Sequence, residues 1–248
     1  KHLQTMHVGN EFPPRGPYHC STAVRDMLRR TGIFIAIFLA GTMPAHAGGK
    51  PGIDQAEAAN ALLQAAYEGD AARVAQLVKA GAPVSQANVF GATPMGEASR
   101  RGDTAVLKVL LEAGADAESA NAEGQTALMA VARTGNIEAA KLLLKHGAKI
   151  DAREKWGGQT ALMWAAAQNQ AEMVRFLASK GADVNACSAV RDWPRRMTAE
   201  ERPKDLNRGG LSGLMFAARD GKIEAARALI AAGANVNFAD PDGSTPLL

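Results

Sequence analysis

From about residue 54 onward, apolar residues recur in short runs at helical spacing, and glycines punctuate the runs. Ile137, Ala140, Leu143 and Leu144 share one face of a helix expected over about 137–146, closed by Gly147 as its C-terminal cap. The punctuation is periodic. Gly-Ala pairs begin at Gly81, Gly114, Gly147, Gly181 and Gly233, in steps of 33, 33, 34 and 52. Gly69, Gly102, Gly135, Asn169 and Gly221 repeat the same steps, and Gly91, Gly124, Gly158, Gly210 and Gly243 form a third series in the same register. The 52-residue step is one period of 33 plus an insert of 19.

Each period predicts a helical hairpin. Thr93-Pro94-Met95, Thr126-Ala127-Leu128 and Thr160-Ala161-Leu162 supply an N-cap and a first turn, with proline tolerated just inside the start. A short helix follows, then a tight turn at Gly102 or Gly135, then a second helix, and about ten residues reverse the chain. Two short helices cannot bury their faces alone, so the hairpins must stack. The units are an atypical first at about 54–88, full units at about 89–121, 122–154 and 155–187, a fifth at 208–240, and a truncated sixth.

Gly91-Ala-Thr-Pro-Met-Gly-Glu-Ala-Ser-Arg-Arg-Gly102, with matching runs at 124–135 and 158–169 and a less close one at 210–221, resembles the ankyrin-repeat motif over roughly residues 55–248. The resemblance implies an all-α solenoid of helix-turn-helix units joined by β-turn loops. It also implies a concave face, lined by first helices and reversing turns, that binds another protein. The family's histidine slot holds Leu63, Gly96, Met129, Met163, Met215 and Leu248 here, so apolar packing stands in for a polar network. Carried over by position, the candidate partner-binding residues are Tyr67, Phe90, Arg100, Arg101, Arg133, Trp156 and Arg219, since aromatics and arginine dominate interface energetics. Phe90 and Trp156 have a second reading, as packing between neighbouring turns.

The insert at 187–209 falls in the turn between the fourth and fifth units, on the binding side that the resemblance implies. It adds Trp193, Arg195 and Arg196 to the candidates. Thr198-Ala-Glu-Glu201 resembles a capping box, which predicts a short helix there. The competing reading is a loop folded back on its own array. Nothing polar-faced caps the fifth unit, and Gly243–Leu248 opens another, so the expectation is a fragment of a longer protein or a loosely held last dozen residues.

The front of the chain reads as a leader. Met27-Leu-Arg-Arg30, about a dozen apolar residues from Gly32 to Met43, and Ala45-His-Ala47 form the basic, apolar and small-x-small parts of a signal peptide at 27–47. The apolar run is too short to span a bilayer, which needs roughly 20 residues. Translation is expected to start at Met27, with 1–26 upstream sequence or a disordered segment and 48–53 a linker. The localisation expected is periplasmic or secreted, in a bacterium.

Charge and composition then narrow the function. The net charge of +3 lies in the first 47 residues, which hold five basic and two acidic side chains; taking these from 28 and 25 leaves 23 of each sign. A body without a basic surplus argues against nucleic-acid binding. Behind the leader, the only histidine is His146 and the only cysteine Cys187. His146 reads as a helix C-cap, Cys187 as an unpaired thiol, and neither has the partners that a metal site or nucleophile needs. Glu138, Glu172 and Glu224 fall at equivalent helix starts and read as structural. The expectation is a monomeric, non-catalytic interaction scaffold without cofactor or metal. Its rivals are the targeting half of a larger enzyme and an envelope stress-protection factor.

Overall fold

The structure, a computed structural model, describes residues 55–191 and 209–247. The expected leader at 27–47, residues 1–26 and most of the insert, with Trp193, Arg195, Arg196 and the expected capping box at 198–201, lie outside the described residues. The rest forms five helical hairpins: α1 (Gln55–Glu68) with α2 (Ala71–Lys79), α3 (Pro94–Arg101) with α4 (Thr104–Glu112), α5 (Ala127–Thr134) with α6 (Ile137–Lys145), α7 (Ala161–Ala167) with α8 (Ala171–Ser179), and α9 (Gly213–Arg219) with α10 (Ile223–Ala231). The described residues hold no strand, only isolated antiparallel bridges, so the all-α expectation holds.

Local chemistry sets the helix ends. The hydroxyls of Thr93, Thr126, Thr160 and Ser212 accept from the backbone N–H three residues on, at 3.0, 3.4, 3.5 and 3.3 Å. Such a cap is worth about 1 kcal/mol. Asp70, Asp103 and Asn136 cap the second helices in the same way. Between the helices the backbone turns through the left-handed region at Gly69, Gly102, Gly135, Asn169 and Gly221, so the series read from the sequence marks matching corners. Asn169, with φ of 58°, is the one non-glycine residue of positive φ among the described residues, and asparagine tolerates that conformation better than most.

First helices pack on first helices (α1, α3, α5, α7, α9), and second helices on second helices. The core between the rows is mostly alanine and leucine, with Leu62, Leu107, Leu128, Leu143, Leu162 and Leu177 fully buried. Met129, Met163 and Met215 fill the histidine slot and are buried, and Met129 Sδ accepts from the Thr126 N–H at 3.5 Å. The thioether thus supplies one acceptor as well as bulk.

Side chains also stitch each unit to the next. Asn136 Nδ2 donates to the Gly102 carbonyl at 2.7 Å, and Gln170 Nε2 to the Arg133 carbonyl at 3.1 Å. Glu118, Asp151 and Asn185 hold one position of three successive units. They accept from the backbone N–H of Lys149, Asp183 and Asn235 at 2.7, 3.0 and 2.8 Å. The insert leaves the array through a short stem. Ser188 N donates to the Leu211 carbonyl at 2.9 Å, and Val190 bridges Gly209. The register therefore resumes as if nothing had been inserted, and α9 packs directly on α7.

Candidate functional site

The reversing turns are braced from within. Asn88 Oδ1 accepts from Phe90 N and Ala92 N, each at 2.9 Å, and Asn121 Oδ1 from Glu123 N and Gln125 N at 3.0 and 2.9 Å. The turn of the fourth unit is one residue longer, and its brace is one methylene longer. The buried Glu154 carboxylate accepts from Trp156 N, Gly157 N and Gln159 N at 2.6, 2.6 and 3.0 Å. A carboxylate with three donors is well compensated for its burial. These braces present Phe90 and Trp156 at the turn tips, 87% and 65% exposed. Side chains this exposed are not confined to packing between neighbouring turns, the second reading offered for them.

The first helices supply the floor beside the turns. The fifth and eighth residues counted from the N-cap lie one helical turn apart on one face. In the four capped units these positions read Glu97 and Arg100, Ala130 and Arg133, Trp164 and Ala167, Phe216 and Arg219, and one period of 33 before the first of these pairs the first unit holds Gln64 and Tyr67. Tyr67 is 52% exposed. Arg100 pairs with Glu97. The Arg133 guanidinium lies over the Trp164 ring of the next unit, 5.1 Å from its centroid, and Arg219 over Phe216 at 5.2 Å. Arg219 Nε also donates to Asp220 Oδ1 at 2.8 Å, which holds the Asp220 carboxyl below the usual aspartate range. At the insert stem, Arg191 lies 5.9 Å over the Trp156 ring and donates to the Trp156 carbonyl.

Among the described candidates, the structure brings two groups together. Trp156, Arg219 and Arg191 meet Phe216 around a cavity of about 310 Å³, and Phe90 and Arg100 line one of about 210 Å³ over Gly96 and Ala130. Arg101 belongs to neither, since its guanidinium lies over the Gly69 corner. One residue past Arg100, it is turned about 100° round the helix and leaves the floor. Trp164 and Phe216 were not singled out from the sequence. The available signal was an aromatic at the fifth position, where other units carry glutamine, glutamate or alanine.

The remaining chemistry is structural. Glu138, Glu172 and Glu224 pair with Lys141, Arg175 and Arg227 three residues on, at 2.6, 2.6 and 3.2 Å. The hydrogen bond and charge of Arg175 hold Glu172 below the ordinary glutamate range. His146 is the C-cap residue of α6, and Cys187 is a half-buried free thiol. Among the described residues no three of histidine, cysteine, aspartate and glutamate lie where they could hold a metal ion, and no helix is long and apolar enough to cross a membrane. What the arrangement can do is present rigid aromatic and guanidinium groups to a partner.

Comparison with known proteins agrees with this architecture. A family model described as ankyrin repeats in three copies matches residues 97–187, and one described as an ankyrin repeat matches 209–241. A search of curated proteins found no match. The two matched segments amount to half of the chain and coincide with hairpins whose caps and corners are now described, so the chain belongs to the ankyrin-repeat family.

Proposed function

We propose that this chain is a non-catalytic scaffold of the bacterial cell envelope that binds a protein partner through its first-helix face, its turn tips and the 187–209 loop. Ankyrin repeats in general mediate protein–protein interaction. The observation that carries the reading here is the exposure of Phe90 and Trp156 on braced turns beside a floor of arginines. Large side chains held in place before binding lose little freedom when a partner arrives. The envelope assignment rests on the leader at 27–47.

A photo-crosslinking residue placed at Phe90 or Trp156 tests the reading, with placements at Lys141 and Arg227 on the second helices as controls. A discrete crosslinked partner in the periplasmic fraction is expected from the first pair and not from the second. Removing 188–206 is expected to leave the array folded and to weaken capture. Equal capture from both faces would overturn the proposed surface, and a cytoplasmic protein with an uncleaved leader would overturn the location.

A further inference from the structure

The floor is rich in hydrogen-bond donors and poor in acceptors. Its fifth and eighth positions hold three arginines and one carboxylate, Glu97, which Arg100 already engages. Among the described residues no carboxylate pairs with Arg133. The indole Nε1 of Trp164, under the Arg133 guanidinium, is the one buried side-chain nitrogen or oxygen without a hydrogen-bond partner among the described residues. The second helices differ: Glu138, Glu172 and Glu224 each have a basic partner three residues on. The unbalanced charge of the floor is therefore local, although the body of the chain is neutral.

Stacking on an aromatic ring uses the flat face of a guanidinium and leaves its edge N–H donors pointing outward, the geometry that grips a carboxylate with two parallel bonds. The guanidinium carbons of Arg133 and Arg219 lie over the Trp164 and Phe216 rings, 5.1 and 5.2 Å from the centroids, so each cation is placed by a ring on the floor. Arg219 shares its donors with Asp220, but that pair is exposed and worth little, so a ligand carboxylate can displace it.

From these observations we infer that the floor binds an extended acidic segment of a protein, with its carboxylates on Arg133, Arg219 and Arg100, whose exposed guanidinium gives only one of its five N–H donors to Glu97. This rests on the first-helix face being the binding face. The register follows from the stack. Arg100 and Arg133 sit on adjacent first helices, whereas Arg133 and Arg219 are two helices apart, because the fourth unit carries Ala167 at that position. At about 10 Å per packed helix and about 3.4 Å per extended residue, one step spans roughly three residues and two steps roughly six. The acidic residues should therefore be spaced about three and then about six apart, with a small or apolar residue over Ala167 and Trp164. Duplex nucleic acid, with charges at close regular spacing, fits this gap poorly.

The test is fluorescence anisotropy of the full chain with a labelled extended peptide of about twelve residues carrying glutamates at that spacing. Arg133→Gln should weaken binding about tenfold or more, Arg133→Lys several-fold, and Arg227→Gln on α10 less than twofold. Salt raised from about 0.05 to 0.5 M should weaken it strongly. Unchanged thermal melts of the variants would show that the array stays folded. Wild-type affinity in Arg133→Gln, equal affinity for the lysine version of the peptide, or equal affinity for duplex DNA would each overturn the inference. If the peptide fails to bind while Phe90 still crosslinks to a partner, the acidic chemistry falls and the binding face stands.

Discussion

The hairpins α5–α6 and α9–α10 carry the same motif and sit in different surroundings. In the inner hairpin, Ile137 and Leu144 are half-buried against the hydrophobic core. Their counterparts Ile223 and Ile230 in the last hairpin are 62% and 51% exposed. At the inner corner a Cβ on Gly135 would fall 2.3 Å from Gln170 Oε1, whereas at the Gly221 corner nothing lies within 4 Å. The difference teaches that a repeat position receives half of its environment from its neighbour. Stability in such an array is a sum of unit terms and interface terms, and the last hairpin lacks one interface among the described residues.

The sharpest way to test this contrast is to truncate one apolar side chain in each hairpin. Leu144→Ala removes a half-buried side chain of α6 and should cost about 2 kcal/mol, whereas Ile230→Ala at the same position of α10 should cost well under about 1 kcal/mol. Urea unfolding midpoints measure both, and equal losses would break the comparison. A smaller effect is expected at the corners. Gly221→Ala should cost about 1–2 kcal/mol for the left-handed backbone alone, and Gly135→Ala somewhat more, because Gln170 must also move away from the Arg133 carbonyl. Thermal melts of the two variants read the difference directly.

The smallest effect concerns charge on the second helices. Arg175 lowers the Glu172 pKa, and Glu224 of the next unit adds to the charge that raises the pKa of Arg175. A carboxyl depressed in the folded state contributes stability above its unfolded pKa and loses it as pH falls through the folded one. Arg175→Ala should therefore move the Glu172 titration midpoint upward by NMR and remove a slight acid-side pH dependence. Both groups are fully exposed, so the melting temperature at neutral pH should barely change.

Much of this was legible along the chain because the relevant interactions are short-range. A threonine hydroxyl reaches the N–H three residues on, and a left-handed corner selects glycine or asparagine whatever surrounds it. Hence the caps at Thr93, Thr126 and Thr160, the corners from Gly69 to Gly221, and the first-turn positions of Glu138, Glu172 and Glu224 follow the periodic reading. The Arg133–Trp164 stack was not legible. Its partners are 31 residues apart and meet only because adjacent units pack in register. The Glu154 brace and the turning of Arg101 toward the Gly69 corner depend likewise on loop geometry and helix phase.

The amino-acid sequence by itself determined the hairpin, its period, its end signals and the order of units, since each depends on contacts within a few residues. Tertiary structure alone decided which arginine lies on which ring, which turn-tip side chains are exposed, and which isoleucines are exposed among the described residues. Those outcomes depend on how one unit seats against the next, and no single repeat encodes its neighbour's surface.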